Sequence, residues 1–249
     1  MNGRWRIIPL ETCDAATAMA LDEACGESVK AGGPPTIRFW RWKPSAVSIG
    51  CFQSLEDEVN LETCKKLGVD FVRRRTGGGA VYHDCDGEIT YSITAPESFF
   101  GKDITASYKL ICGWLVDAFA RLGIDAEFKP INDITTGGKK ISGNAQTRRG
   151  GILLQHGTIL YDVDVKRMFS VLRVSKEKIS DKMIAAVEDR VTSVKKSGNA
   201  TYAQTYEALV SAFSEGKETF SGSWTNSELA RAKELVETKY KTKEWNFQR

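Results

Sequence analysis

The stretch Arg73-Arg74-Arg75-Thr76-Gly77-Gly78-Gly79-Ala80-Val81-Tyr82-His83-Asp84 carries the densest chemical signal in the chain. Three consecutive glycines remove every Cβ over roughly 10 Å of backbone. A ligand can then approach closely, and exposed N–H groups can meet phosphate or carboxylate oxygens. The arginines before them supply fixed positive charge with bidentate geometry. The residues after the glycines decide the fold: Ala80-Val81-Tyr82 reads as strand, not helix. The run is therefore neither a GxxxxGK[ST] loop nor a GxGxxG turn opening a helix, and its ligand is expected along a strand edge. The plain alternative is a glycine-rich hairpin with solvated arginines.

Outward from this segment, strands come in pairs with helices between them. On the N-terminal side residues 5–10 read as strand, and 15–29 as an amphipathic helix with Asp14 as N-cap. Residues 36–42 and 46–49 are strands divided by Lys43-Pro44-Ser45, 60–67 is a short helix and 70–73 a strand. On the C-terminal side 87–94 is a strand and 104–122 the clearest helix, with Leu110, Ile111, Trp114, Leu115, Ala118 and Leu122 on helical spacing. Gly137-Gly138 turns a hairpin between 131–136 and 139–147, and 151–161 is a further strand. Helical stretches succeed it at 165–172, 202–214 and 227–238. This order does not alternate as βαβα, so the fold class expected is α+β, a mixed, largely antiparallel sheet with flanking helices. The 249 residues are read as one domain over 1–249 with a C-terminal helical segment from about 200. Residues 196–200 are the weakest point for a boundary and can equally be a loop.

Composition narrows the function classes. Hydrophobic residues make up 41% and charged residues 27%, enough for a core. Thirty-five Lys+Arg against 32 Asp+Glu give +3, too near neutral for a protein that coats nucleic acid. The two histidines, His83 and His156, all but exclude a zinc site built on several imidazoles. Six cysteines stand at 13, 25, 51, 64, 85 and 112, without a CxxC pair and with none after Cys112. They are read as reduced, mostly buried thiols of a cytosolic protein. No apolar run approaches the ~18–20 residues of a membrane span. The N-terminal apolar stretch is interrupted by Glu11 and Asp14, unlike a signal peptide, and a cytoplasmic location is expected.

A second chemical segment runs Lys139-Lys140-Ile141-Ser142-Gly143-Asn144-Ala145-Gln146 and on to Gln155-His156-Gly157-Thr158. In a regular strand Lys140, Ser142, Asn144 and Gln146 share one face, too polar for core, while Ile141, Gly143 and Ala145 face the other way. A lysine lining a site there can neutralise phosphate or polarise an acyl oxygen without being the nucleophile; a surface lysine is the bland reading. Asn132-Asp133 supplies a carboxylate that could hold Mg²⁺ beside a phosphate, or serve only in a turn. Both histidines fall inside the two segments. A Ser-His-Asp or Cys-His hydrolase is disfavoured because no G-x-S-x-G elbow accompanies them, although other triads stay open.

Taken together, RRRTGGGAVYHD (73–84), Asn132-Asp133-Ile134, Lys140 to Gln146, and His156-Gly157-Thr158-Ile159-Leu160 resemble the lipoate–protein ligase A family of the biotin/lipoate protein ligase superfamily. Arg38-Phe39-Trp40 through Gln53, Arg190-Val191-Thr192-Ser193 and the ending 239–246 extend the likeness over nearly the whole chain. The resemblance implies the fold of that superfamily's catalytic domain and an ATP-dependent ligase. Lipoate would be activated with ATP and Mg²⁺ as lipoyl-AMP, then transferred to a lysine of an acceptor lipoyl domain. That acceptor would be a 2-oxoacid dehydrogenase E2 subunit, a glycine-cleavage H protein or a similar carrier. By the same resemblance Lys140 is catalytic, sitting between acyl oxygen and phosphate. Arg73, Arg74, Thr76, Gly77, Gly78, Gly79, Ala80, Val81, Tyr82 and His83 bind ATP or lipoyl-AMP, as do Asn132, Ser142, Gly143, His156, Gly157 and Thr158, with Asp133 for Mg²⁺. No permanently bound cofactor, nucleic acid or membrane is implied.

Two departures qualify that expectation. After His83-Asp84 the ligases usually read leucine–glycine–asparagine; here Cys85-Asp86-Gly87-Glu88 stands, and Glu88-Ile89-Thr90-Tyr91-Ser92 looks more like the related octanoyl-transferases. Those use a cysteine shortly before the lysine motif, where this chain has Asn132-Asp133 and no cysteine. The chain also resembles short archaeal forms without the C-terminal accessory domain, so the resemblance leaves open a separate accessory ligase subunit. Competing with an ATP-dependent ligase are an octanoyl or lipoyl transferase without ATP use, a biotin ligase, disfavoured because its GRGRxGR-type loop is missing, and a non-catalytic nucleotide-binding module.

Overall fold

The computed structural model describes residues 3–173 and 188–249. In chain order the elements are β1 (Trp5–Cys13), α1 (Ala15–Lys30), β2 (Thr36–Trp42), β3 (Ala46–Ile49), α2 (Leu55–Glu58), α3 (Leu61–Leu67), β4 (Asp70–Arg73), β5 (Val81–His83) and β6 (Glu88–Pro96). They continue as α4 (Ile104–Arg121), β7 (Glu127–Lys129), β8 (Asp133–Thr136), β9 (Lys139–Arg149), β10 (Ile152–Leu160), α5 (Val165–Val171), α6 (Val194–Ser197), α7 (Tyr202–Ser214), β11 (Thr219–Ser221), α8 (Asn226–Leu235) and α9 (Lys243–Asn246).

Strand β2 shows why two helical layers are needed. Its Ile37 and Phe39 belong to the core that includes Ile111, Leu115 and Phe119 of α4 and Leu209 and Phe213 of α7. Its Trp40 and Trp42 pack into a second core with Met19 and Leu21 of α1 and Leu235 beyond. Alternation thus feeds both faces, and a strand buried on both sides requires cover on each. The large sheet runs β11-β1-β2-β6-β10-β9-β8-β7. Only β1 pairs in parallel, with β2 and β11; the other pairings are antiparallel. The small sheet runs β4-β3-β5, with β3 parallel to β4 and antiparallel to β5. A third cluster, Val47, Ile49, Leu55, Cys64 and Val171, packs this sheet beneath its own short helices. The architecture is the mixed, largely antiparallel α+β fold expected from the sequence.

Helix ends obey local chemistry. Asp14 caps α1 by accepting from the Thr17 N–H, and Thr201 with Gln204 and Thr225 with Glu228 form capping boxes at α7 and α8. Two local expectations change, and one left open resolves as a loop. Leu110 is 42% exposed, because the buried stripe of α4 runs through Ile111, Trp114, Leu115 and Ala118 instead. The helix expected over 227–238 ends at Leu235 and passes into a π turn, Val236–Tyr240, that buries Tyr240 against Glu23. The possible boundary at 196–200 begins in α6, whose Val194 lies in the main core, and is a loop. Among the described residues no helix is long and apolar enough to cross a membrane.

Candidate active site

A cavity of about 310 Å³ lies where the small sheet meets the large one. Ser48, Arg74, Gly78, Gly79, Tyr82 and His83 line it from the small sheet and glycine loop. Trp40, Trp42, Glu88, Thr90, Lys140, Gly143, Asn144, Ala145, His156 and Gly157 line it from the large sheet. Met19, Leu160, Val163, Met168 and Leu172 add apolar surface. The result is an apolar recess with a few convergent polar groups, the usual make-up of a small-molecule site.

Arg74 organises the polar end. Its Nη2 donates to Gly77 O (2.8 Å) and Gly79 O (2.7 Å), closing the glycine loop around the guanidinium. Nη1 donates to Ser48 O (3.0 Å) and Ser48 Oγ (3.2 Å), and Nε donates to Thr76 Oγ1 (3.1 Å). Burial pushes its pKa down to about 10, so it still carries charge at neutral pH. Among the described residues it has no carboxylate partner; every acceptor is a carbonyl or a hydroxyl. A buried cation without a counter-ion is costly unless an anion or a developing negative charge completes it. The loop's shape depends on Gly50, where a Cβ would stand 2.1 Å from Gly78 O.

Each histidine sits in its own relay. His156 Nδ1 is 3.2 Å from Asp22 Oδ2, and its Nε2 is 2.7 Å from Thr76 Oγ1. Burial lowers the His156 pKa, more than the Asp22 carboxylate raises it. The neutral ring thus donates Nδ1–H to Asp22 and accepts the Thr76 hydroxyl. Burial alone would raise Asp22, but hydrogen bonds from His156 and Ser92 and the charge of Arg38 outweigh it and hold the carboxyl below its ordinary range. His83 Nε2 lies 2.8 Å from Ser48 Oγ, its Nδ1 lies 2.8 Å from Glu88 Oε1, and its ring stacks on Trp42 at 4.0 Å and 16°. Thr90 Oγ1 donates to the same Glu88 oxygen (2.5 Å) and accepts from Trp42 Nε1 (2.7 Å).

Lys140 projects from a bulge. Register passes from Ile134↔Ser142 to Thr135↔Lys140, so Ile141 is an extra residue on β9. The inserted residue reverses the alternation expected from the sequence. Asn144 and Gln146 face Tyr91, Gln155 and Ser107, while Lys140 lies over Gly143, whose Cβ would stand 2.8 Å from Nζ. The Lys140 N–H donates to Arg190 O and its carbonyl accepts from Thr192 N–H, both at 2.8 Å, so segment 190–192 pins the bulge. The ammonium pairs with Asp133 Oδ1 at 2.7 Å. Asp133 is thereby committed to Lys140, and no group of three His, Cys, Asp or Glu side chains with metal-site spacing exists among the described residues. This donor set does not fit a protein-held Mg²⁺.

Comparison with known proteins places this geometry. The lipoyl protein ligase A/B catalytic domain matches residues 14–214. The chain belongs to that family. The octanoyltransferase LipM of Brevibacillus brevis is 36% identical over 276 residues, covering 99% of both chains. Seven further octanoyltransferases of that name lie between 31% and 35% identity. Among solved structures, the bipartite lipoate protein ligase of Thermoplasma acidophilum, studied with its E2 lipoyl domain, superposes with a TM-score of 0.91 at 34% identity, covering 99% of this chain and 97% of that one. A lipoate–protein ligase A bound with ATP superposes with a TM-score of 0.86 at 33% identity, covering 99% of each. The lipoyl ligase A/B fold is therefore shown, and an enzyme of lipoyl or octanoyl transfer with it. The ATP-dependent ligase activity expected from the sequence is overturned: the curated relatives are octanoyltransferases. The departure at 85–92 had pointed the same way, and it contributes Glu88 and Thr90 to the cavity wall.

Within this family fold the sequence-marked residues divide by position. Arg74, Gly78, Gly79, Ala80, Val81, Tyr82, His83, Asn132, Lys140, Gly143, His156, Gly157 and Thr158 line the cavity. Thr76, Gly77, Ser142 and Asp133 stand behind the wall; Thr76 and Gly77 hold Arg74, and Asp133 holds Lys140. Arg73 points away: its guanidinium donates to Gln53 O (2.6 Å), Trp245 O (2.9 Å) and Asn246 O (2.8 Å), fastening the C-terminal segment to the loop after β3. Asp22 and Met19 carried no motif in the sequence, and Ser48, Glu88 and the Trp40–Trp42 pair lay in stretches marked only by their likeness to the family, with no site role assigned to them. The polar residues at alternate positions of strands otherwise rich in apolar side chains were the available hint.

Proposed function

We propose that this protein transfers an octanoyl or lipoyl group from a thioester donor to a lysine of an acceptor lipoyl domain, without ATP. The observation that carries the reading is Arg74, a buried cation with no carboxylate partner among the described residues, beside a glycine loop and an apolar recess. Acyl transfer generates one oxyanion, on the tetrahedral carbon, and a fixed guanidinium is suited to it. The recess takes the aliphatic chain. Lys140, whose ammonium is oriented by Asp133, polarises the acyl carbonyl from the other side. Thioester to amide is downhill, so neither nucleotide nor accessory adenylating subunit enters. The octanoyltransferase relatives and the E2 lipoyl domain studied with the Thermoplasma ligase support the donor and acceptor classes.

The test is mass spectrometry of an apo lipoyl domain incubated with the protein and an octanoyl thioester of a carrier protein, with no nucleotide. One octanoyl increment on the acceptor lysine is expected, and Lys140→Ala should slow its appearance at least ~100-fold, the usual worth of an electrostatic group. An increment formed only from free acid, ATP and Mg²⁺ would overturn the reading.

A further inference from the structure

We propose that Ser48, His83 and Glu88 form a nucleophile–base–orienter triad, and that Ser48 Oγ carries the acyl group as an oxygen ester between donor and acceptor. The inference rests on the transfer reading above and supplies the nucleophile that reading lacks, since none of the six cysteines lines the cavity.

All three side chains line the cavity. Ser48 is 2% exposed and Glu88 1%, so both work out of bulk water. The links are direct: Ser48 Oγ to His83 Nε2 at 2.8 Å, and His83 Nδ1 to Glu88 Oε1 at 2.8 Å. A carboxylate at Nδ1 fixes the proton there and leaves the Nε2 lone pair facing the serine hydroxyl. The stack on Trp42 holds the ring in that orientation. Arg74 Nη1 donates to one Ser48 lone pair, which favours the alkoxide and leaves the other lone pair for attack.

A second observation points to the same chemistry. Glu88 Oε2 is buried and has no hydrogen-bond partner among the described residues. A half-satisfied buried carboxylate is expensive in a structural role. It is understandable beneath a ring that becomes imidazolium in turnover. The N–H groups of Gly78 and Gly79, on the exposed loop flanking Arg74, have no acceptor among the described residues and are open to a ligand oxygen. They form a ready oxyanion site. The other relay, Thr76–His156–Asp22, has similar connectivity, but the Thr76 hydroxyl is fully buried, off the cavity wall and bonded to Arg74 Nε. It positions Arg74. A triad is recognised by geometry, so the lack of a G-x-S-x-G elbow does not count against Ser48.

The steps balance. Ser48 Oγ attacks the thioester carbonyl carbon while His83 Nε2 takes the hydroxyl proton; the C–S bond breaks and the thiolate leaves with that proton. The acceptor lysine's neutral amine then attacks the serine ester and gives a proton to His83. The C–Oγ bond breaks and Ser48 recovers the proton. Thioester plus amine become thiol plus amide.

The wild-type protein, mixed with octanoyl thioester and no acceptor, should gain one octanoyl mass on the peptide bearing Ser48, as an ester stable to neutral hydroxylamine. Initial rates with both substrates varied should give parallel reciprocal lines. Ser48→Ala should lose the increment and slow transfer at least ~100-fold. Ser48→Cys should keep transfer and carry a hydroxylamine-labile thioester, which decides the matter if the alanine variant folds poorly. Intersecting lines with Ser48→Ala within about threefold of wild type would overturn the triad while leaving the transfer reading intact. No transfer from any thioester by the wild-type protein would sink both.

Discussion

Replacing Arg74 by Met separates the structural and chemical roles of the buried guanidinium. Burial takes its pKa from the ordinary arginine value down to about 10, and at about 1.4 kcal/mol per pH unit the folded environment disfavours the charged form by roughly 3 kcal/mol. Methionine removes that cost and fills much of the volume. Against this stand the five hydrogen bonds the guanidinium makes. Two end on Gly77 and Gly79 carbonyls in a partly exposed loop, where water can replace them, so the uncompensated loss falls on Ser48 and Thr76, at ~1 kcal/mol per bond. The two contributions offset, and the urea unfolding free energy of Arg74→Met should lie within about 2 kcal/mol of wild type. Octanoyl transfer should fall ~10²–10³-fold, the loss expected for an oxyanion-stabilising group. Unfolding is tracked by tryptophan fluorescence and transfer by mass spectrometry. A variant destabilised by more than about 4 kcal/mol that keeps its transfer rate when assayed folded would refute the reasoning, because Arg74 would then be scaffold.

The geometry sets two further outcomes. His156 has a folded pKa below its ordinary 6.5 because burial penalises the imidazolium. As pH falls below 6.5 the unfolded chain takes up a proton that the folded one resists, so stability declines through that window. His156→Gln should flatten the decline in urea midpoints between about pH 8 and pH 5, and identical slopes would exclude this cause. Gly157→Ala would place a Cβ 2.0 Å from Asn144 Oδ1 and 2.7 Å from Tyr91 Cε1. Asn144 is held by Tyr91 OH and Asn132 O and cannot swing aside freely, so a loss of ~1–3 kcal/mol is expected in urea titration, and a change under about 0.5 kcal/mol would show a softer pocket than these contacts imply.

Much of this fold was legible because its elements keep regular periods. Strand β2 alternates, α7 starts and stops at its expected residues, and Gly137-Gly138 turns the hairpin as expected. The bulge at Ile141 was not legible: one inserted residue has no compositional mark, yet it takes Lys140 off the face it was expected to share with Asn144 and Gln146. Strands β7 and β11, of three residues each, are too short to show a period. Ser48 was invisible for another reason. It meets His83 because β3 pairs antiparallel with β5 in a register that sets Ala46 opposite His83 and Ser48 opposite Val81. The two are diagonal neighbours across a ladder, a relation that only pairing creates.

Glu88 reaches the site by equally local means. Asp84 Oδ1 accepts from the N–H groups of Asp86 and Gly87, both at 3.0 Å, which turns the chain over this short segment and carries it from β5 of the small sheet into β6 of the large one. His83 and Glu88 thus face one another across a turn that the segment 85–88 builds, the same segment that departs from the ligase pattern. Both relays end on Arg74, one through Ser48 Oγ and one through Thr76 Oγ1. An oxyanion site fixed at one guanidinium and one glycine loop restricts where an attacking atom can stand, not which strand must supply it. A chain with no cysteine thiol on the cavity wall can then keep the family's acyl-binding geometry and draw its nucleophile from β3.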